Sequence, residues 1–253
     1  MNTEQVTVEG RDYSRTVWFS AGPKAPHPLC VFLDGEFYLK MELPAILDKL
    51  MIAGRIPQMS LAIVAHNGGQ SRHEDYVCND RFARFVSEDL FTWAKNRVDS
   101  IQTKGNLVCG LSLSGLASAH IHLTFPQLFS SSLSQSGSFW WNRKRFAELV
   151  RERRLTNSRY WLSVGDQETE ESATHAPTGM RQEFSQIAGV QSAVDALTAA
   201  GAEVVHHEFH GGHAFEPWIR ELPEALEWLT ESGHEGFGSG PLHALVRRDA
   251  RGV

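Results

Sequence analysis

Two rhythms of apolar and polar positions divide the chain. Short unbroken apolar runs at Leu29–Leu33, Leu61–Val64, Leu107–Cys109 and Tyr160–Val164 predict strands buried on both faces. Phe129–Leu133 reads as a further strand, and Glu203–Phe209 alternates as a last one. Between these runs the apolar positions fall at helical spacing over Leu43–Ala53, Phe82–Val98, Phe184–Ala200 and Pro223–Leu229, and Arg143–Arg153 reads as a short exposed helix. At the start, Gln5–Glu9 and Thr16–Ser20 flank Gly10-Arg11-Asp12, the pattern of a hairpin. Pro23–Pro28 reads as a loop, as does the polar stretch from Gly165 to about Thr178. Buried strands alternating with helices predict a mostly parallel central sheet with helices on both faces and an N-terminal antiparallel hairpin. One such α/β domain is expected over residues 1–231, with 232–253, rich in Gly, Arg and polar residues, as a flexible tail.

In open parallel sheets the ligand site lies beyond the carboxyl ends of the strands. Asp34-Gly35-Glu36, Ser112, Ser136, Asp166, Glu168 and His213 all follow strand-like runs, so one rim is expected to gather them. The stretch Gly110-Leu111-Ser112-Leu113-Ser114-Gly115 has the layout of a nucleophile elbow, a sharp strand-to-helix turn that lifts a serine hydroxyl clear of the sheet. Its departure is Ser114, which stands where the usual pattern has its last glycine. Acyl transfer by serine also needs a base, a carboxylate to orient that base, and N–H donors for the developing oxyanion. Ser112 is followed in order by Asp166 or Glu168, and then by His213 after two glycines. Glu170 and Glu171 are further candidates for the acid. The oxyanion donors are expected to be the backbone N–H of Leu113 and one from Gly35 or Glu36.

Other chemistry is weaker. His206, His207, His210 and His213 raise the alternative of a metal-dependent hydrolase, but no H-E-x-x-H or cysteine-rich spacing supports it, and solvent-facing strand histidines are common. No metal and no cofactor are expected. Phe139, Trp140 and Trp141 at a strand end are candidate walls for an acyl or aryl group, and Arg72, near His73 and Arg81, a candidate anchor for an anionic substrate.

The 253 residues suit one large domain, and 42% hydrophobic with 21% charged residues supply an ordinary core. A net charge of −6 argues against general affinity for nucleic acid or acidic membranes, and no apolar run is long enough to span one. Cys30, Cys78 and Cys109 are odd in number and two lie in apolar runs, which predicts reduced thiols. The first residues lack a basic region followed by an apolar stretch, so a cytoplasmic location is expected. The expected partner is a small-molecule ester; nothing fixes the oligomeric state.

Five stretches together resemble the putative-esterase (esterase D-like) family of α/β-hydrolases, and in particular the catalytic domain of enterochelin (siderophore) esterases. They are Leu33–Phe37, the run from Arg72 through Asn79, Phe82, Phe85 and Glu88 to Leu90, Gly110–Leu116, Ser134–Trp141, and Gly211–His213. The resemblance spans about Leu29 to Trp218. It implies a cofactor-free cytoplasmic serine esterase with Ser112 as nucleophile, His213 as base, and Glu168 as acid by the family's Gly-x-x-Glu pattern. A siderophore-type ester ranks first as substrate, a broad-range or feruloyl/acetyl ester second. A catalytically silent hydrolase-fold binding protein is a third, different reading. Besides Ser114, the chain departs in having no room for the N-terminal β-sandwich of the larger siderophore esterases.

Overall fold

The computed structural model describes residues 1–231 and 245–248. Its strands are β1 (Glu4–Glu9), β2 (Ser14–Ser20), β3 (Leu29–Phe32), β4 (Ser60–Val64), β5 (Asn106–Leu111), β6 (Phe129–Gln135), β7 (Arg159–Gly165), the short β8 (Ala173–His175) and β9 (Met180–Gln182), β10 (Glu203–Phe209) and β11 (Leu245–Arg248). The helices are α1 (Gly35–Lys40), α2 (Leu43–Ile52), α3 (Gly69–Asp75), α4 (Asp80–Arg84), α5 (Phe91–Arg97), α6 (Ser112–Thr124), α7 (Trp141–Val150), α8 (Gln186–Ala199) and α9 (Phe215–Thr230). Nine strands form one sheet in the order β1-β2-β4-β3-β5-β6-β7-β10-β11. β1, β2 and β4 pair antiparallel, and every pairing from β4 to β11 is parallel.

Strand side chains alternate between the faces, and both faces are covered. Cys30, Phe32, Leu61 and Ile63 pack with Leu47 of α2 and Leu222 and Leu226 of α9. Leu29, Val31, Ala62 and Val64 pack on the other side with Phe82 of α4 and Ala117 and Ile121 of α6. Farther along that side, Tyr160, Leu162 and Val204 meet Phe146 of α7 and Val190 and Val194 of α8. This double burial is why the strands read as unbroken apolar runs.

Several boundaries differ from the sequence pattern. The helix expected over Phe82–Val98 is α4 and α5 joined by a π-helical turn at Phe85–Leu90. The last helix begins at Phe215, eight residues before Pro223, so that proline lies inside it. Helices α1 and α3 are too short to show a period, and the polar loop before Thr178 contains β8. Of the expected tail, Leu245–Arg248 pairs beside β10; the rest of it lies outside the described residues. Among the described residues, no helix is long and apolar enough to cross a membrane.

Candidate active site

β5 ends extended at Leu111, and α6 begins at Ser112 with φ +52°. A non-glycine residue there costs about 1–2 kcal/mol and persists only where its surroundings enforce it. Here they do. Ser114 Oγ donates to the carbonyl of Leu111 (2.8 Å) and accepts its N–H (2.9 Å), closing the turn on itself. A Cβ on Gly110 would lie 2.1 Å from the carbonyl oxygen of Ser114, and one on Gly115 would lie 2.8 Å from Ser134 Oγ. The steric demand for glycine therefore falls at 110 and 115, whereas Ser114 is fully buried and its hydroxyl is used. Ser112 is the partly exposed residue in this otherwise buried first turn. Its carbonyl accepts the N–H of Ser138 (3.0 Å), which ties the elbow to the segment after β6.

Leu113 follows Ser112 in the first turn of α6, where N–H groups have no acceptor within the helix. The facing loop after β3 turns at Asp34, also left-handed at φ +58°. The carbonyl of Asp34 accepts the N–H groups of Phe37 (2.9 Å) and Tyr38 (3.3 Å), so those of Gly35 and Glu36 are the first-turn donors without such a bond. The Asp34 side chain is completely buried and Arg72 grips it with a fork, Nε to Oδ1 and Nη2 to Oδ2 both at 2.8 Å. Burial disfavours charge on Arg72, but the Asp34 carboxylate outweighs it and holds the guanidinium above its ordinary value.

β7 and β10 bring the acid and base together. Glu168 Oε2 lies 2.6 Å from His213 Nδ1, while Oε1 accepts the N–H of Gly165 (2.8 Å) and the hydroxyl of Ser136 (2.6 Å). The Glu168 side chain is 3% exposed and that of His213 42%. Asp166, two residues earlier, does something else: Oδ2 meets His210 Nδ1 at 2.9 Å and Oδ1 accepts the N–H of Gly211 at 3.0 Å. It pins the turn that delivers His213. Among the described residues, Ser112 Oγ has no hydrogen-bond partner, and catalytic contacts are often loose before substrate binds.

Other candidates go elsewhere. The guanidinium of Arg72 is committed to Asp34 and stacks over Phe37 and Tyr76. Phe139 is buried against Phe146, and Trp140 is buried with its indole N–H on Gln186 Oε1 (2.6 Å) and its ring stacked on His175. Trp141 opens α7 and is partly buried. The half-open rings near His213 come instead from Phe37, His66 and Phe215, a chain of ring contacts that reaches His213 through the buried Trp218. Sequence reasoning missed Phe215 and Trp218, whose only signal was their closeness to His213 in the chain. His206 and His207 are buried rather than solvent-facing, because β10 is an interior strand between β7 and β11. Glu170 and Glu171 are exposed in the loop beyond Glu168. Among the described residues, no three His, Cys, Asp or Glu side chains converge on a point that would hold a metal ion.

A family model described as "Putative esterase" matches residues 15–229. An iron(III) enterobactin esterase of Dickeya dadantii is 30% identical over 90% of this chain and 53% of its own length, so the chain spans about half of that curated relative. Among solved structures, an enterobactin esterase from Shigella flexneri, determined in the presence of enterobactin, superposes with a TM-score of 0.77 at 23% identity, over 90% of this chain and 59% of that one. An IroE-like serine hydrolase from Shewanella oneidensis gives 0.73 at 16% identity, over 90% and 80% respectively. At these identities the structural matches speak to the fold.

Proposed function

The chain belongs to the putative esterase family, and from that premise we propose that it is a serine carboxylic-ester hydrolase using Ser112, His213 and Glu168. The observation that carries this reading is the 2.6 Å contact between Glu168 and His213 on the rim where the elbow presents Ser112. Ser112 Oγ attacks the ester carbonyl while Nε2 of His213 takes its proton. Glu168, held by two further donors, stabilises the imidazolium that forms. The N–H of Leu113 and one from Gly35 or Glu36 receive the oxyanion, a contribution of about 10²–10³ in rate for each donor. His213 then protonates the leaving alcohol, and the acyl-enzyme is released by water through the same steps in reverse. No metal or cofactor enters this scheme.

For the substrate we propose a siderophore-type ester. Support comes from the activity named for the relatives and from the rim itself. Phe37 has Lys40 at 5.8 Å from its ring centre and His66 and Phe215 beside it. Aromatic faces with an exposed lysine beside them suit an aryl acyl group that carries negative charge.

A fluorophosphonate probe should label the wild type and neither Ser112→Ala nor His213→Ala, and both variants should lose several orders of magnitude in kcat on a p-nitrophenyl ester with the fold intact. Near-normal turnover in either variant overturns the mechanism. Values of kcat/KM for a catecholate trilactone, a feruloyl ester and short p-nitrophenyl esters, measured side by side, test the substrate. Rapid cleavage of simple esters with none of the trilactone would leave a broad-range esterase.

A further inference from the structure

Glu168 and His213 stand on loops, and the imidazole is half exposed, yet a general base must aim one particular nitrogen. The support comes from two buried residues, Ser136 and Trp218. Ser136 is fully buried at φ +45°, its N–H bonded to the carbonyl of Ser163 (3.0 Å) and its carbonyl held by the Gln186 side chain. This anchoring points its hydroxyl at Glu168 Oε1, 2.6 Å away. Trp218, 2% exposed, donates its indole N–H to Ser136 Oγ (3.0 Å), and its ring meets that of His213 at 4.8 Å with planes 87° apart. The contacts close into a loop: Trp218 to Ser136 to Glu168 to His213 and back to Trp218.

We propose that Ser136 and Trp218 are positioning residues that fix the tautomer and direction of His213; this rests on the triad reading above. The reason is the one-way order of donors. An indole N–H can only donate, so it occupies an acceptor site of Ser136 Oγ and turns the Ser136 proton toward Glu168. An ionised carboxylate can only accept, so the short contact with His213 requires the proton on Nδ1. That leaves Nε2 bare, the form that can take the proton of Ser112. Without the Ser136 hydroxyl, Oε1 keeps one donor, Gly165, and the carboxylate can rotate away from the imidazole.

Ser136→Gly is the informative variant, since glycine accepts the left-handed backbone without strain while the hydroxymethyl group that bonds Glu168 is removed. Trp218→Phe removes the indole donor and keeps a ring. Ser136→Gly should lower kcat on a p-nitrophenyl ester by about 10- to 100-fold, the worth of a hydrogen bond to a charged group, and Trp218→Phe by about 2- to 10-fold, the worth of a neutral one, each with KM within about twofold. In the Glu168→Gln background Ser136→Gly should add less than about twofold, because the residue acts through that carboxylate. Imidazole ¹⁵N shifts should report Nδ1–H in the wild type and a tautomer mixture in Ser136→Gly. A Ser136→Gly enzyme at full speed beside a slow Glu168→Gln, or losses that simply multiply, overturns this inference alone. A Glu168→Gln enzyme at full speed overturns the triad reading and this inference with it.

Discussion

At the scale of single residues, burial and partners separate side chains that the sequence leaves alike. Asp166 and Glu168 are two positions apart and both meet a histidine, but Asp166 is half exposed and bonds a turn, whereas Glu168 is buried and bonds His213. Removing one partner of an exposed pair costs little, whereas removing one partner of a buried pair leaves the other without its counterpart in the interior and costs much more. Glu168→Gln is therefore expected to lower kcat by roughly 10³- to 10⁴-fold, in line with the loss of a triad acid, and Asp166→Asn by less than about tenfold. Steady-state kinetics on one aryl ester decides it; the reverse ranking would move the acid to Asp166. Ser114 also acts at this scale. A serine in place of the elbow glycine looked like a departure in the sequence, yet its hydroxyl supplies two of the bonds that hold the turn.

At the scale of elements, the elbow works because α6 packs directly against the segment after β6. Gly115 makes this possible: an added Cβ would sit 2.8 Å from Ser134 Oγ and 3.0 Å from the Cα of Gly137. Gly115→Ala should push α6 outward, cost about 1–3 kcal/mol in stability and reduce kcat by misplacing Ser112. Chemical denaturation and kinetics on the same preparation test this; unchanged stability would mean that the Ser134–Trp141 segment yields freely. The element boundaries that the sequence missed share a cause. Helices α1 and α3 have six and seven residues, under two turns, so periodicity cannot reveal them. Pro223 resembles a helix start, but α9 tolerates it mid-helix, where the carbonyl it leaves without a donor belongs to the partly exposed Ile219.

At the scale of the whole molecule, folding fixes titratable groups that take no part in the chemistry. His122 of α6 is completely buried and stacked on Tyr160 at 4.3 Å, and among the described residues neither ring nitrogen has a hydrogen-bond partner. Burial pushes its pKa down to about 3. Unfolded, the ring takes a proton near pH 6.5, so between these values the unfolded chain binds more protons than the folded one. The associated stability is full above about pH 6.5 and is lost as pH falls toward about 3, at up to about 1.4 kcal/mol per pH unit. His122→Phe keeps a stacking ring and removes both unpaired nitrogens. It should raise Tm at pH 7 and flatten the fall in Tm between pH 6.5 and 4. Parallel curves for variant and wild type would show that His122 is not the sensor.

The sequence alone determined the layered architecture, because strands buried on both faces must be apolar throughout and helices between them must be amphipathic. It also set the order of the proposed serine, acid and histidine and their place at strand ends, since both are properties of position along the chain. Tertiary structure decided what depends on distance between remote residues. Glu168 and His213 are 45 residues apart in sequence, and the parallel register of β7 and β10 brings their loops together. The same packing turned Phe139 and Trp140 into the core, committed Arg72 to Asp34, and placed Trp218 behind His213. Periodicity records which face of an element is buried; it carries no record of which partner lies across from it.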